Sequence, residues 1–259
     1  MVRRDKSNYI IQSVAHALDV LEEFRGDMDE LGVTELSKKL KLHKNNVFRI
    51  LATLQSRNYI EQNRSNDNYR LGIKCLELGQ TFIRQRGLLK QAKPILQELA
   101  GTTGETSYIS ILRGNEVVYL DSVETSSTVR VISRVGLHMP AHATAAGKAL
   151  VAFESDEELV KRFTGEIPRF TKGTKTRSED LMKDFSAVRE LGYATDLEEF
   201  EDGLRCIGAP VRDYTRKVVG AISVSGPAHR LPDEKIAQQV GPEVARAGRA
   251  LSARLGFRE

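Results

Sequence analysis

Residues 33–72 carry the pattern that most constrains the fold, because two short helical segments surround a tight turn and strand-like runs follow them. Thr34 is predicted to cap the first helix, and Lys41-Leu42-His43 is predicted to form the turn. The second helix is predicted over residues 44–57. Residues 59–71 supply two strand-like runs around a polar, turn-rich tip, which predicts a β-hairpin. This order of elements is typical of a winged helix-turn-helix domain.

The second helix of this pattern has two chemically different faces. Its predicted buried stripe consists of Val47, Ile50, Leu51 and Leu54. On the opposite face, Asn45 and Asn46 lie four and three residues before Arg49. Asparagine and arginine bond base edges bidentately in the major groove, and the first turns of a recognition helix point at the bases. For one helix considered alone, a merely solvated face remains an equal alternative, but the following hairpin favours a DNA-reading helix.

Other side chains of the same region are placed to contact DNA phosphates, which fix the register of a protein without reading the base sequence. Three of them lie on the second helix, and Arg64 lies at the hairpin tip. The complete set of predicted DNA-contacting residues is Lys44, Asn45, Asn46, Arg49, Thr53, Arg57 and Arg64.

Two further helices are predicted, one before and one after this region. The first is indicated by apolar residues that recur in steps of four and three and share one helix face: Ile10, Val14, Leu18, Leu21 and Phe24. The second covers residues 73–85 and is predicted to link two domains. Its apolar side is also suited to pairing with a second subunit.

The charge of the chain is unevenly distributed. Residues 1–90 hold 16 Lys and Arg against 11 Asp and Glu, whereas the remaining residues hold 23 against 24, so the net charge of +4 arises in the first third. A basic surplus of this kind favours a nucleic-acid partner. A chance surplus on a solvated surface remains the alternative.

The 259 residues are enough for two domains. The two cysteines, Cys75 and Cys206, lie far apart and supply neither a disulfide framework nor a paired metal-ligand spacing. No cleavable signal begins the chain, and no apolar run approaches the roughly 20 residues that cross a bilayer. We therefore expect a soluble cytoplasmic protein without a membrane partner.

The remaining two thirds of the chain combine paired strands with intervening helices, which predicts an α+β domain with an antiparallel sheet. Strands are predicted at 106–112, 117–123, 129–133, 193–197, 206–211 and 218–225, and helices at 92–100, 156–163, 178–191 and 232–255. Residues 136–140 are predicted to form a loop, and the basic residues 172–177 a mobile one. Ser178 is predicted to cap the helix that follows.

Two features of this part suggest a ligand site. Small residues before a helix at 141–150 expose backbone N–H groups that attract a carboxylate or phosphate, although close helix–sheet packing explains the same composition better. Four polar side chains also stand out, those of Asp196, Cys206, Ser223 and Ser225. Ser223 and Ser225 share one face of a strand, so their two hydroxyls are able to line a polar pocket. The alternative is that these hydroxyls only satisfy neighbouring backbone groups.

Five segments together resemble the IclR family of bacterial transcriptional regulators along nearly the whole chain. They are the helix at 44–54 and the motifs PAHATAAGKA at 140–149, GYATDLEE at 192–199, GLRCIGAPV at 203–211 and AISVSGP at 221–227. Each segment alone is weak, but their shared order and spacing are specific.

The resemblance implies an N-terminal winged helix-turn-helix at 1–72, a linker helix at 73–90 and a GAF-like effector-binding domain at 91–259. It implies a homodimer or a dimer of dimers that binds double-stranded operator DNA. The small-molecule effector would be an organic or aromatic acid. Positions matching the family motifs place the effector at Val131, Met139, Ala145, Ala146, Asp196, Leu204, Cys206, Ser223 and Ser225. Phe48 departs from the family pattern, because polar residues are common at that position.

These observations favour a ligand-responsive repressor that has no catalytic activity and needs no cofactor. An enzyme is the first alternative, with Cys206 as nucleophile and His142 or His138 as base, but no recognisable arrangement supports it. A metal held by Cys206, Asp196 and a histidine is the second, although the spacing matches no structural zinc motif.

Overall fold

The computed structural model of the chain describes residues 10–25, 30–85 and 87–258. The chain forms two compact units, residues 1–85 and 86–259, and each has its own hydrophobic core. None of the described helices combines the length and apolar character that crossing a bilayer requires. The domain boundaries expected at residues 72 and 90 stay predictions.

In the first unit, three helices precede a two-stranded antiparallel hairpin and a fourth helix follows it. The elements are α1 (Gln12–Glu22), α2 (Val33–Leu40), α3 (Lys44–Ser56), β1 (Ile60–Gln62), β2 (Tyr69–Leu71) and α4 (Ile73–Gln85). A short 3-10 turn at Glu23–Arg25 extends α1. The predicted winged helix-turn-helix order is confirmed.

The turn between α2 and α3 depends on Lys41, which adopts a left-handed conformation with φ of 54°. Ser37 closes the turn, because its carbonyl accepts from the Leu42 N–H and its hydroxyl donates to the Leu42 carbonyl at 2.6 Å. The prediction that Thr34 caps α2 is wrong. The N-cap residue is Gly32, which has no side chain and so makes no side-chain cap.

The core of the first unit confirms the stripe predicted on α3, since Val47, Leu51 and Leu54 are buried and Ile50 is partly buried. The stripe predicted on α1 is confirmed at its end, where Phe24 is buried and Leu21 packs against the core. It is wrong at its start, because Ile10, Val14 and Leu18 are 64%, 53% and 54% exposed, whereas Val20 is fully buried. The reason is that α1 is apolar on more than one side, and the side that packs on α3 contains Ala17, Val20 and Leu21.

The second unit is built on a six-stranded antiparallel sheet in the order β5-β4-β3-β8-β7-β6. The strands are β3 (Thr106–Arg113), β4 (Glu116–Val123), β5 (His138–Pro140), β6 (Ala194–Leu197), β7 (Leu204–Arg212) and β8 (Val218–Pro227). The helices are α5 (Gly87–Thr103), α6 (Ala145–Val151), α7 (Asp156–Arg162), α8 (Ser178–Leu191), α9 (Asp233–Lys235) and α10 (Gly241–Arg254), with a π-helical turn at Ile236–Val240. The predicted α+β fold class is confirmed.

Helices cover both faces of this sheet. Gly208 and Ala209 are consecutive in β7 and therefore face opposite sides. A Cβ atom at Gly208 would lie 2.8 Å from the carbonyl of Ala145, so α6 approaches one face as closely as backbone atoms allow. Gly248 of α10 lies against Ala209 on the other face, where an added Cβ would meet the Ala209 Cβ at 2.9 Å. The small residues of α6 therefore do serve close helix–sheet packing.

Four local predictions for the second unit are wrong. Residues 129–133 form no strand, because side chains on β3 bond the carbonyls of Val131 and Ile132. The strand beside β4 is instead β5, so the loop predicted at 136–140 is wrong from His138 onward. Ser178 is the first residue of α8, and its N-cap, Arg177, makes no side-chain cap. The segment 172–177 is anchored rather than unattached, because the Thr174 hydroxyl donates to the Glu199 carbonyl at 2.6 Å.

Gly147 gives a direct test of the packing around α6. A Cβ atom at this position would lie 2.3 Å from the Cα and the carbonyl oxygen of Ala141, so backbone would have to move. We expect Gly147→Ala to lower the free energy of unfolding of the second unit by about 3 kcal/mol, as measured by urea denaturation of the full chain.

The matched control is Gly101→Ala, another glycine within a helix, where nothing lies within 4 Å of an added Cβ. This variant is expected to raise the free energy of unfolding by about 0.5–1 kcal/mol, because alanine loses less conformational freedom on folding than glycine. Equal effects of the two substitutions would show that the contact with Ala141 is unimportant.

Candidate functional site

One candidate site lies on the solvent-exposed face of α3. Asn45, Asn46 and Arg49 are exposed there, opposite the buried Val47 and Leu51, as the sequence predicts. The helix begins after His43, whose Nδ1 accepts from the Asn45 N–H at 3.3 Å. The apolar Phe48 is also exposed on this helix. The result is a polar helix surface with one aromatic side chain, held in place by its buried stripe.

A groove of about 560 Å³ runs between α1 and α3, and three of the predicted contact residues line it: Asn46, Arg49 and Thr53. On the α1 side the groove is lined by Gln12, Ser13, Val14, His16 and Ala17. The hydroxyl of Thr53 donates to the Arg49 carbonyl at 2.8 Å. In this rotamer Thr53 offers a phosphate no proton, which weakens its predicted role.

The hairpin tip is anchored by a residue that sequence reasoning missed. The side-chain amides of Asn63 and Asn66 donate to the Glu30 carboxylate at 2.9 and 2.7 Å. These hydrogen bonds from Asn66 and Asn63 lower the pKa of Glu30. The exposed Arg64 therefore projects from a turn that is fixed to the body of the domain. Lys44 and Arg57 are exposed at the two ends of α3.

A second candidate site lies on the α6-covered face of the large sheet. In register, Asp196 of β6 stands opposite Cys206 of β7, which stands opposite Ser225 of β8. Ser223 lies two residues from Ser225 and opposite Gly208, on the same face. All four side chains are buried. We call Asp196, Cys206, Ser223 and Ser225 the polar row, and the structure brings its members together, as the resemblance to the IclR family implies.

The polar row contains two buried atoms that lack a hydrogen-bond partner among the described residues, Asp196 Oδ2 and Ser223 Oγ. The other oxygen of Asp196 accepts from the Glu199 N–H at 2.8 Å. Burial raises the pKa of Asp196 to about 7, and the charge of Glu199 adds to this effect. Because orphaned buried polar atoms are rare in proteins, these two atoms leave hydrogen-bonding capacity unused at the polar row.

The predicted apolar walls adjoin the polar row. Ala145, Ala146, Leu204 and Cys206 belong to one buried cluster, and the partly buried Val131 and Met139 pack against that cluster. The N–H groups of Ala145 and Ala146 belong to the first turn of α6, where helix geometry provides no acceptor. The side chain of Thr144 caps that helix by accepting from the Gly147 N–H.

A buried lysine next to the polar row escaped sequence reasoning. Lys148 Nζ donates to Asp184 Oδ2 and Glu199 Oε1, both at 2.6 Å, and to the Thr195 carbonyl at 3.1 Å. Burial opposes its charge, but the charges of Glu199 and Asp184 outweigh burial and raise the pKa of Lys148. The sequence gives one signal for this lysine, which is its place among the small residues of the motif at 140–149. A lysine that packs there is buried, and a buried lysine is almost always paired with a carboxylate.

The geometry argues against the two chemical alternatives. Burial raises the pKa of the Cys206 thiol, whereas a nucleophilic cysteine requires a lowered one. The histidines proposed as bases have other partners: His142 Nε2 is bonded to the Pro168 carbonyl, and His138 Nδ1 to Glu116, each at 2.9 Å. Across residues 10–25, 30–85 and 87–258, no group of three or more His, Cys, Asp or Glu is arranged to hold a metal ion.

Comparisons with known proteins decide the family. A family model described as the IclR helix-turn-helix domain matches residues 13–64, and one described as the C-terminal domain of the bacterial transcriptional regulator IclR matches residues 80–253. The chain belongs to the IclR family. Proteins of the IclR family are transcriptional regulators rather than enzymes, and each combines a DNA-binding domain with an effector-binding domain.

Similarity to individual IclR proteins extends over nearly the whole chain. The transcriptional regulator XynR of Escherichia coli is 39% identical over 249 residues, which are 96% of this chain and 98% of XynR. The transcriptional repressor AllR of Escherichia coli is 33% identical and covers 95% of this chain and 91% of its own length. The crystal structure of Thermotoga maritima IclR superimposes with a TM-score of 0.79 at 27% identity, covering 95% of this chain and 99% of that one.

The raised pKa of Asp196 predicts a pH-dependent stability. A carboxyl whose pKa is higher in the folded than in the unfolded state stabilises the fold most at low pH, and this contribution is lost as the pH rises through the folded pKa. We expect wild type to lose roughly 3 kcal/mol of unfolding free energy through this carboxyl as the pH rises from 5 to 8. Asp196→Asn cannot ionise and should not show this loss, so its stability relative to wild type should increase by the same amount over that range.

The measurement is urea denaturation of both proteins across this pH range. Asp202→Asn, which removes an exposed carboxylate from the neighbouring turn, is the control and is expected to follow wild type at every pH. A constant stability difference between wild type and Asp196→Asn from pH 5 to 8 would show that Asp196 has an ordinary acidity.

Proposed function

We propose that this IclR-family regulator is a repressor that binds operator DNA through α3 and releases it when a small organic or aromatic acid occupies the polar row. The observation that carries the DNA-binding part is the exposed face of Asn45, Asn46 and Arg49, fixed by the buried stripe behind it. The name of AllR, a repressor at 33% identity, supports repression.

Operator recognition follows from the chemistry of α3. Asparagine bonds adenine and arginine bonds guanine through paired hydrogen bonds at the major-groove edge, so Asn45, Asn46 and Arg49 would read bases. Lys44, Arg57 and Arg64 would bind phosphates on either side of the groove. The anchored hairpin would present Arg64 to the backbone beside the groove, because Glu30 fixes its tip.

Dimerisation through the first unit would place two copies of α3 in successive major grooves of a near-palindromic operator. The exposed apolar residues of α1 and α4 support this assembly. Val14 and Leu18 are exposed on α1, and Ile73 and Leu76 are exposed on α4, although apolar side chains of this size favour burial. A homodimer, or a dimer of such dimers, would cover them.

The effector would complete the hydrogen bonding of the polar row. Asp196 Oδ2 and Ser223 Oγ lack partners, and the N–H groups of Ala145 and Ala146 are able to donate to an anionic group. Val131, Met139 and Leu204 would enclose the apolar part of the ligand. A homologue from Microbacterium hydrocarbonoxydans of the same fold, 21% identical over 94% of this chain, was crystallised with 4-hydroxybenzoate, which supports an acid as the ligand.

Regulation would arise from differential binding. An effector changes operator affinity only if it binds more tightly to the arrangement of the dimer that binds DNA less well. No catalytic step is involved.

The DNA-binding proposal is tested with a duplex that the wild-type protein selects from a random pool. Arg49→Ala and Asn46→Ala are each expected to weaken binding by about 1–3 kcal/mol and to relax base preference at one position. Arg64→Ala is expected to weaken binding to all sequences alike and to reduce the slope of log K against log salt concentration by about 1.

Fluorescence anisotropy over a range of salt concentrations measures these effects. Lys183→Ala removes an exposed basic residue from the second unit and is expected to bind DNA as wild type does. Wild-type affinity and preference in Arg49→Ala and Asn46→Ala together would exclude α3 as the reading element.

The effector proposal is tested by a thermal-shift screen of organic and aromatic acids against the full chain. Asp196→Ala and Ser223→Ala each remove a side chain with an unpartnered buried atom, so we expect both to reduce or abolish the shifts seen with wild type. Ser186→Ala on the exposed side of α8 is the control and should retain them. Shifts that persist undiminished in both variants would place the effector elsewhere.

A further inference from the structure

The segment between β4 and β5, residues 124–137, is tied down over the polar face of the sheet. The hydroxyl of Thr106 donates to the Val131 carbonyl at 2.8 Å, and the hydroxyl of Tyr108 donates to the Ile132 carbonyl at 2.9 Å. Thr106 and Tyr108 belong to β3 and stand directly opposite Ser225 and Ser223 of β8. The segment therefore passes beside the polar row, although it has no helix or strand of its own.

Arg134 is the charged residue that this segment brings to the site. Its side chain is only 16% exposed, and its guanidinium lies 5.8 Å from the centre of the Phe200 ring. The guanidinium is close enough to Cys206 and Tyr119 for the positive charge to lower the pKa of both, against the dominant effect of burial. A cation thus stands next to the polar row.

This cation has a weak partner. Among the described residues, the ion pair of Arg134 is with Glu201, whose carboxylate accepts from Nη2 at 2.8 Å. The Glu201 side chain is 58% exposed, and ion pairs with so exposed a member contribute little to stability. Lys148, the other buried cation near the row, is already bonded by two carboxylates at 2.6 Å. Of these two cations, Arg134 is therefore the one that is available to bind an incoming anion.

We propose that Arg134 binds the carboxylate of the effector, and that Glu201 occupies Arg134 as an intramolecular competitor until the effector displaces it. This inference rests on the proposed effector site and adds the residue that selects for an acid. A planar guanidinium offers paired donors that match a carboxylate, and such bonds are stronger than those between neutral groups. Ser223 and Asp196 then receive a hydroxyl or carbonyl group at another position of the same ligand.

Competition between the Glu201 carboxylate and the effector carboxylate predicts opposite effects on acid affinity for substitutions of Glu201 and Arg134. Glu201 and the effector compete for one guanidinium, so neutralising Glu201 strengthens acid binding, whereas neutralising Arg134 weakens it. A purely structural ion pair predicts the opposite pattern, in which both substitutions loosen the site and weaken binding together. The two signs separate a binding role for Arg134 from a supporting one.

The experiment uses isothermal titration calorimetry on the full chain with 4-hydroxybenzoate, benzoate and lactate, each paired with its neutral amide. Arg134→Gln is expected to lose affinity for the acids on the order of tenfold or more, with little change for the amides. Glu201→Gln is expected to bind the acids severalfold more tightly than wild type. Arg134→Lys keeps the charge but not the paired donors and is expected to lie between wild type and Arg134→Gln.

Folding is controlled by the melting curve and by ligand-free DNA affinity, which both substitutions should leave unchanged. Acid binding that survives in Arg134→Gln but is lost in Ser223→Ala overturns the role of Arg134 and leaves the effector site standing. A Glu201→Gln variant that binds acids no better than wild type overturns the competition. If neither wild type nor Glu201→Gln binds any of the three acids, the proposed anion site at Arg134 is overturned. The DNA titrations described above still test operator binding independently of this result.

Discussion

The buried ammonium group of Lys148 is the interaction on which the second unit depends most. It joins α6 to α8 through Asp184, to β6 through the Thr195 carbonyl, and to the following turn through Glu199. A buried charge is costly to desolvate, and removing one partner of such a pair costs about 3–5 kcal/mol because the other charge is left uncompensated. Substitution of any of these charged residues should therefore be costly. The Lys148 Nζ atom fixes the positions of α8, β6 and the following turn relative to α6.

The polar row depends on that fixed turn. The Glu199 N–H donates to Asp196, so the residue that holds Lys148 also orients the Asp196 carboxyl of the polar row. The same turn continues to Phe200 and Glu201, which contact Arg134 of the segment between β4 and β5. Two kinds of polar group are thus adjacent. The three donors of Lys148 are bonded, whereas Asp196 and Ser223 each keep one atom without a partner, and Arg134 is paired with the exposed Glu201. In the proposed effector site, this difference would let a ligand bind without disturbing the Lys148 network.

Periodicity and turn chemistry predict the elements that are decided locally. The stripe of α3 and the hairpin after it follow from spacing, because each depends on contacts within some forty residues. The same reasoning fails for α1, which is apolar on two sides, so spacing cannot say that Val20 is buried while Val14 is exposed. It also fails at 129–133, where side chains of β3 take the carbonyls that a strand would use. Resemblance to a family indicates the polar row, but Lys148, Glu30 and Arg134 act through partners distant in sequence and emerge only from coordinates.

The proposed coupling between the DNA-binding and effector sites is tested most directly by measuring how each ligand changes the affinity for the other. The dissociation constant for operator DNA is measured with and without a saturating acid, and that for the acid with and without saturating operator. Linkage requires the same factor in both measurements, and a factor of roughly 5–150 is typical of allosteric coupling. Equal factors in this range, with the acid weakening operator binding, are the expected result. If each ligand binds with an affinity that the other leaves unchanged, the protein is not an effector-controlled repressor.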